Sequence, residues 1–133
     1  SGGGFYDYDE KRRPTPSLVA AEVIAEFARE EGVDNSGPQP PDAILARLMY
    51  PVVNEGARIL EEGIAARASD LNVAAILGYG WPVYTGGPMA WADEVGLDRI
   101  VAGLEALEAR LGPAFAPAPL LRKLAGERRG FTR

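Results

Sequence analysis

The chain has 133 residues, of which 47% are hydrophobic, so it can bury one compact core with little left over for a second domain. Its formal net charge of −5 argues against nucleic acid or an anionic membrane surface as a partner, because both are held mainly by clustered Lys and Arg. No apolar run approaches the roughly 20 residues that cross a bilayer, and the N-terminus lacks the layout of a signal peptide. We therefore expect a soluble, cytoplasmic protein.

Cysteine and histidine are both absent from the sequence. Without them the chain has no disulfide, no thiolate or imidazole metal ligand and no Ser–His or Cys–His nucleophile. Paired carboxylates occur at Glu30–Glu31, Glu61–Glu62 and Asp93–Glu94. Adjacent helical residues point about 100° apart, so these pairs do not converge on one substrate atom. The sequence predicts no catalytic residue, no cofactor-binding residue and no metal site.

The first part of the chain contains an extended segment and a single helix. Residues 1–16 combine glycines, aromatics and two prolines, which predicts an extended tail with no strand pattern. Ser17 stands where an N-cap belongs, ahead of a helix that ends at Gly32. The apolar stripe of that helix is Val19, Val23, Ile24 and Phe27. Residues 17–41 are therefore a helix followed by the linker GVDNSGPQPP.

The strongest helical periodicity lies in DAILARLMYPVVNEGARILEEG, which begins at Asp42 and predicts a core helix. Its apolar face is Ile44, Leu45, Leu48, Met49, Val52, Val53 and Leu60. Pro51 falls inside this pattern, where it removes a backbone donor and clashes with the preceding turn, so we expect a kink. Asn54 and Glu55 are expected to bond a loop backbone at a helix junction rather than to act in catalysis.

Shorter helices complete the predicted bundle. A third runs from a Ser69 cap to Gly78, a fourth starts with Pro88 and ends at Gly96, and LDRIVAGLEALEARLG and PLLRKLAGE form two more. Their expected core residues are Val73, Ile76, Leu77, Met89, Trp91, Ile100, Leu104 and Leu107. Five or six short helices with short connections predict a compact all-α bundle over residues 42–126. Residues 127–133 read as a solvated basic tail.

Residues 78–96, GYGWPVYTGGPMAWADEVG, allow two interpretations. A phosphate cradle needs a preceding strand, a G-x-G-x-x-G or G-x-x-x-x-G-K-[ST] spacing and free N–H groups at a helix start. Here the preceding segment is helical, no lysine follows Gly86 and Gly87, and Pro88 removes one N–H. We therefore favour the second interpretation, a structural corner that turns the chain between two helices.

In the corner interpretation each residue type has a packing role. Gly78 ends one helix, Gly80 and Pro82 set the turn, and Gly86 and Gly87 allow close backbone approach. The residues that fill the space between helices are Trp81, Tyr84, Met89 and Trp91. Together with Pro88, these residues other than Met89 form the candidate site, either as structure or as the wall of a pocket.

The helix ARLMYPVVNEGARILEEGIA, followed by a polar cap and GYGWPVYTGGPMAWADEVGLDRI, closely resembles the C-terminal helical domain of 3-hydroxyacyl-CoA dehydrogenases. The resemblance covers roughly residues 42 to 126 and is greatest to the second copy of that domain in multifunctional fatty-acid β-oxidation enzymes. There, enoyl-CoA hydratase, NAD-binding dehydrogenase and two helical repeats lie on one polypeptide. The opening SGGGFYDYDEK looks like the end of the preceding repeat. The resemblance implies an all-α fold like the 6-phosphogluconate dehydrogenase C-terminal domain.

The resemblance also implies a function. The parent enzyme would be an NAD-dependent dehydrogenase that oxidises the 3-hydroxyl of an acyl-CoA to a ketone. The family's catalytic histidine and its glutamate partner lie in or beside the NAD-binding domain, and this chain has neither a histidine nor a dinucleotide fingerprint. In the first copy of the helical domain an asparagine that contacts the acyl substrate precedes the arginine of the long helix. Here that position is Ala46, before Arg47, and a methyl group cannot form the hydrogen bond.

Two function classes stay open from the sequence. The first is a packing and dimer-like scaffold of such a dehydrogenase, with the preceding helical repeat and the NAD-binding domain as partners, and with NAD bound only elsewhere in the parent. The second is a stand-alone helical protein-interaction module. A hydratase domain and a dinucleotide fingerprint before Ser1 would distinguish them. Trp81, Tyr84 and Trp91 could line an acyl or pantetheine tunnel, although core packing is the more usual role of such residues.

The apolar residues of the N-terminal segment lie outside the predicted core. They are Phe5, Tyr6, Tyr8, Val23, Ile24 and Phe27. In the parent the preceding repeat would cover them, whereas in the free chain they leave an apolar patch larger than monomers usually tolerate. We therefore expect the chain to self-associate, most simply as a two-fold dimer, through residues 5–30 together with part of the bundle face.

Overall fold

The computed structural model describes residues 4–33 and 37–132 and divides the chain into two compact units, residues 1–38 and 39–133. In the first unit, strand β1 (Tyr6–Tyr8) pairs antiparallel with strand β2 (Pro14–Pro16), with Tyr6 opposite Pro16. The prediction of an extended segment without strands is therefore wrong, because two parts of this segment pair with each other as strands. Strands of three residues are too short to show a period of two, and proline is tolerated in a two-stranded ribbon because one edge of each strand is free.

The connection between the two strands is held by the carboxylate of Asp9. Its oxygens accept hydrogen bonds from the backbone N–H groups of Lys11 and Arg13, both at 2.9 Å, and from Arg13 Nε at 2.7 Å. Arg12 between them has a φ of 56°. The bonds from Arg13, backbone first, lower the pKa of Asp9 against a small opposing effect of desolvation.

Helix α1 (Leu18–Glu30) completes the first unit. Ser17 is at the predicted N-cap position, although its side chain makes no cap bond. The helix ends where predicted, because Gly32 takes a φ of 65° and the N–H of Val33 returns to the carbonyl of Ala28 at 2.8 Å. The apolar residues exposed on this helix are Leu18, Val19, Val23, Ile24 and Phe27.

The second unit consists of five α-helices and two one-turn 3₁₀ helices. The α-helices are α2 (Pro41–Glu61), α3 (Ala68–Tyr79), α4 (Pro88–Val95), α5 (Leu97–Leu111) and α6 (Pro119–Gly126), and the 3₁₀ helices are Val83–Thr85 and Pro113–Phe115. The all-α prediction is confirmed, with six α-helices among the described residues. Helix α2 continues through Pro51, and the kink expected there stays a prediction.

The predicted bounds of α3 are wrong at both ends. Its N-cap is Arg67, whose guanidinium pairs with Asp70 at 2.9 Å, so Ser69 lies within the first turn. At the other end the helix runs through Gly78 and stops at Gly80, which has the left-handed φ of 77°. A glycine ends a helix only where the backbone needs that conformation, and here the second glycine provides it.

The core of the second unit lies where α2, α4, α5 and α6 meet. Its buried residues are Tyr50, Val53, Ala57, Ala92, Leu97, Ile100, Leu104, Ala118, Leu121 and Leu124. The predicted core residues that are exposed instead are Ile44, Leu45, Leu48, Val73 and Leu77. Helix α2 fully buries only residues between Tyr50 and Ala57, and the large apolar side chains of its first two turns, Ile44, Leu45 and Leu48, are exposed. Helix α3 is apolar on all sides, so its pattern could not show which face is buried.

Asn54 joins α2 to the start of α6. Its buried side chain donates to the carbonyl of Ala116 at 2.9 Å and accepts from the N–H of Ala118 at 2.7 Å. The guanidinium of Arg58 donates to the same Ala116 carbonyl at 3.0 Å. The expectation of a hydrogen bond to a loop backbone is confirmed for Asn54, whereas Glu55 is exposed and lies 3.6 Å from Arg58.

Residues 127–132 are not the solvated tail that we expected. Phe131 packs against the core cluster, and its N–H donates to Asp93 of α4 at 2.8 Å. The charged residues of this segment concealed the contact, because only one large apolar side chain, Phe131, carries it.

We predict that Asn54→Ala lowers the free energy of unfolding by about 2 kcal/mol, because the N–H of Ala118 is left buried without a partner. Equilibrium urea unfolding measures the loss. Glu55→Ala, the neighbouring exposed position, is the control and should change the value by less than about 0.5 kcal/mol. Equal effects of the two substitutions would contradict the assignment of this junction to Asn54.

Candidate functional site

The glycine-rich segment forms the connection between α3 and α4. After Gly80 the chain makes the 3₁₀ turn Val83–Thr85, which ends at Gly86 with a φ of 76°. Gly87 follows with a φ of 100° and is the N-cap of α4. Pro88 occupies the first helical position, where its missing N–H costs nothing. The fourth helix therefore begins and ends where the sequence predicts.

The N-terminus of α4 is capped by a residue from another helix. Asn72 of α3 is buried, and its Oδ1 accepts hydrogen bonds from the N–H groups of Met89 at 2.8 Å and Ala90 at 3.4 Å. These are the donors that a helix leaves unsatisfied at its first turn. The remaining position, Pro88, has no N–H. An anion approaching this helix start finds no free backbone donor in the first turn, so the geometry does not support a phosphate cradle.

Close approach between the backbones explains Gly87. A Cβ at this position would lie 2.4 Å from the Cβ and 2.6 Å from the Cα of Asn72. The positive φ adds a second reason, because residues with a side chain rarely adopt it. The prediction that glycine allows close backbone approach here is confirmed for Gly87. At Gly86 a Cβ would meet only the Cβ of Ala90, at 3.2 Å.

The side-chain hydroxyl of Thr85 stabilises the turn. Its Oγ1 accepts from the indole Nε1 of Trp81 at 2.7 Å and from the N–H of Gly87 at 3.4 Å, and it donates to the carbonyl of Pro82 at 2.7 Å. The buried indole therefore has its hydrogen-bond partner within the turn. Pro82 itself is exposed.

Aromatic packing connects the corner to the core. The rings of Trp81 and Trp91 meet edge to face with centroids 6.0 Å apart, and Trp91 lies 6.2 Å from Tyr50 of α2. Trp91 also packs against the core cluster. Tyr84 does not take part, since 88% of it is exposed, and the prediction that it fills space between helices is wrong. The 3₁₀ turn places Val83 and Tyr84 on its solvent side, which spacing in the sequence could not show.

An apolar groove lies between α2 and α3, and it is separate from the tryptophan pair. It encloses about 480 Å³. It is lined by Val52, Glu55, Gly56, Ile59, Leu71, Ala74, Ala75, Tyr79, Pro88 and Met89. Of the candidate site residues only Pro88 reaches it. Partial desolvation raises the pKa of the Tyr79 phenol above its ordinary value.

The described residues contain neither an unpartnered buried polar side chain nor a cluster of metal-ligating residues. No buried side-chain nitrogen or oxygen in residues 4–33 and 37–132 lacks a hydrogen-bond partner. Within the same residues no group of three or more His, Cys, Asp or Glu could hold a metal ion, and no helix is both long and apolar enough to cross a membrane.

The position compared with the family's substrate-contacting asparagine is a packing position here. Ala46 packs against the core cluster, and the guanidinium of the following Arg47 lies over the ring of Phe115 at 4.4 Å. A cation over an aromatic face is a stabilising contact. Both residues therefore tie α2 to its neighbours within the unit.

Sequence reasoning missed the two residues that organise the corner, Asn72 and Thr85. Asn72 is the single polar residue within LNVAAIL, and a lone polar residue in an apolar helix is a signal of a buried hydrogen bond. Its partners lie 17 and 18 residues away in the chain, so the sequence could flag the residue without naming what it bonds.

The sequence was compared with known proteins. Residues 44–130 match the family described as 3-hydroxyacyl-CoA dehydrogenase, C-terminal domain. A glyoxysomal fatty acid beta-oxidation multifunctional protein of Cucumis sativus is 37% identical over 126 residues, which cover 92% of this chain and 17% of the relative. A peroxisomal counterpart in Arabidopsis thaliana is 37% identical over 131 residues, covering 94% of this chain and 18% of the relative.

A bacterial relative matches the chain with similar coverage. The fatty acid oxidation complex subunit alpha of a Shewanella species is 32% identical over 133 residues, covering 98% of this chain and 18% of the relative. The chain therefore spans less than a fifth of the length of the curated relatives that it matches. The family match covers most of the helical unit, and the resemblance found in the sequence is confirmed: the chain belongs to the 3-hydroxyacyl-CoA dehydrogenase C-terminal domain family.

Proposed function

We propose that this chain is the non-catalytic C-terminal part of a multifunctional fatty-acid β-oxidation enzyme, in which it is a packing scaffold for the dehydrogenase part. The names and lengths of the relatives support this, since each is a fatty-acid oxidation protein more than five times as long as the matched segment. The parent would oxidise the 3-hydroxyl of an acyl-CoA to a ketone and would also carry an enoyl-CoA hydratase. NAD, bound elsewhere in the parent, would accept the hydride.

The observation that carries the scaffold role is the way the corner uses its polar groups. Oxidation of an alcohol by hydride transfer needs a base at the hydroxyl and a site for the dinucleotide. In this chain the helix start best placed to receive a phosphate is capped by Asn72, and the nearby hydroxyl of Thr85 is bonded to Trp81 and Pro82. These residues hold α4 against α3.

The partners in the parent would be the preceding helical repeat and the NAD-binding domain. The first unit supports this part of the proposal, because an apolar groove of about 500 Å³ runs along its hairpin and α1. It is lined by Gly4, Phe5, Asp7, Ser17, Val19, Ala20, Val23 and Ile24. Large exposed apolar surfaces of this kind mark places where another protein surface packs.

The same surface favours the second candidate, a helical interaction module, and predicts the behaviour of the chain by itself. Phe5 and Phe27 are 75% and 61% exposed. With no preceding repeat present, a second copy of the chain is the partner always available at high concentration, and two-fold association is its simplest form. A cytoplasmic location is also our proposal, supported by the lack of cysteine. The plant relatives are named as glyoxysomal and peroxisomal.

We predict that the purified 133-residue chain produces no NADH from NAD and a 3-hydroxyacyl-CoA and shows no heat of binding with NAD. An intact multifunctional β-oxidation enzyme assayed beside it is the positive control. NADH formation above a blank without protein would contradict the non-catalytic assignment.

The geometry of the corner predicts how substitutions of its glycines change the stability of the chain. Gly86→Val and Gly87→Val should each lower stability by more than about 1 kcal/mol, because both require a positive φ and Gly87 also touches the backbone of Asn72. Gly78→Val is the matched control, since Gly78 is helical with no atom within 4 Å of an added Cβ. Thermal unfolding compares the three. An unchanged melting temperature in both corner variants would remove the structural assignment.

Self-association is tested by size-exclusion chromatography with light scattering. We expect the intact chain to be dimeric at high micromolar concentration and the variant Val23→Glu with Phe27→Glu to be monomeric. Glu22→Gln with Glu26→Gln alters charge on the same helix without removing an apolar residue and should stay dimeric. A monomeric intact chain, or a dimer that survives the Val23 and Phe27 substitutions, would show that this face is not the interface.

A further inference from the structure

The segment that follows α6 turns back sharply toward α4. The N–H of Arg128 donates to the carbonyl of Ala125 at 3.1 Å, and the N–H of Arg129 donates to that of Leu124 at 3.0 Å. This is the pair of bonds that ends a helix around a left-handed residue, a position that glycine usually fills. Here it is Arg128, with a φ of 54°. The turn is therefore held at some cost in backbone energy.

A single carboxylate receives the chain after that turn. Asp93 of α4 accepts from the N–H of Phe131 at 2.8 Å through one oxygen. Its other oxygen accepts from the N–H of Thr132 at 2.9 Å and from the Thr132 hydroxyl at 2.5 Å. Hydrogen bonds to an ionised acceptor are stronger than those between neutral groups.

Gly130 lets the backbone reach the carboxylate. A Cβ at this position would lie 2.7 Å from the Cγ and from both oxygens of Asp93. Phe131, the next residue, packs against the core cluster. Residues 127–129 between α6 and Gly130 are exposed. Residues 127–132, here named the strap, are thus fastened at their far end by Asp93 and one aromatic side chain.

We propose that the strap opens and closes on the bundle as one unit and that Asp93 is its latch. Segments that open separately from the global fold are those with few buried contacts and exposed backbone, and the strap has both features. The three bonds converge on one carboxylate, so they form and break together. The left-handed Arg128 favours opening, because release of the turn relieves its conformation.

The latch also has a consequence for α4. This eight-residue helix is held at its first turn by Asn72 and, six residues after its N-cap, by the strap on Asp93. When the strap opens, α4 keeps the first attachment and loses the second, and the core loses Phe131. A negative charge placed at Thr132 would repel the carboxylate and favour the open form. This inference is independent of the proposed function.

Amide hydrogen exchange measured by NMR on the 133-residue chain tests the latch. Asp93→Asn and Gly130→Ala should each raise the exchange rates of the Phe131 and Thr132 amides by at least about tenfold, the effect of losing one charge-assisted hydrogen bond. Amides of α5 such as Leu104 and Leu107 should be unchanged. Thr132→Glu should raise the strap rates more than Thr132→Val, which removes only the hydroxyl bond.

Gly126→Ala is the matched control for Gly130→Ala. Gly126 ends α6 and has no atom within 4 Å of an added Cβ, so its substitution should leave the strap rates as they are. The proposal is overturned if Asp93→Asn and Gly130→Ala both leave the Phe131 and Thr132 rates unchanged. It is equally overturned if those rates rise together with the rates of α5, because the strap would then be a part of the core and not a separately opening unit.

Discussion

The hydrogen bonds from the first turn of α4 to the side chain of Asn72 are the constraint on which the helical unit depends. Both donors are buried or half-buried backbone N–H groups. A buried donor that lacks a partner lowers the free energy of unfolding by more than a typical contact at the surface adds to it. The acceptor belongs to α3, so the bonds hold two helices together as well as capping one. They also bring the backbone of Gly87 against Asn72, at a distance that excludes any side chain.

Helix α4 connects the corner to the core. With its first turn fixed, the helix buries Met89 and Ala92 completely and sets Trp91 between Trp81 and Tyr50. A second carboxamide, Asn54, repeats the device by joining α2 to the start of α6. In both cases one buried amide satisfies backbone groups that have no partner in their own helix. These two buried polar residues are thus used for holding elements of the unit together.

Caps and periodicity were sufficient to predict much of the fold. Helix α4 has Pro88 at its first position and Gly96 after its last, and α5 repeats its leucines at spacings of three and four, so both were predicted with the observed bounds. The faces of α2 and α3 could not be predicted in the same way. A stripe of apolar residues shows that a helix can be buried on that side, but the neighbours decide how much of its length is covered.

One physical origin of the remaining differences is the contacts between residues far apart in the chain. Asp93 appeared in the sequence as half of an acidic pair and is the acceptor for a segment 38 and 39 residues later. The β1–β2 hairpin was missed because three-residue strands carry no pattern of their own. The resemblance to the family depended on the order and spacing of many residues, and it agrees with the helical periodicity on the all-α fold class.

The central claim is that the glycine-rich corner is a structural junction organised by Asn72. Equilibrium urea unfolding of Asn72→Ala tests it most directly, with Ser69→Ala at an exposed position of the same helix as the reference. The account predicts a loss of about 2 to 3 kcal/mol for Asn72→Ala, because two backbone donors lose their acceptor, and almost none for Ser69→Ala. A stability of Asn72→Ala within about 0.5 kcal/mol of the unchanged chain would contradict it.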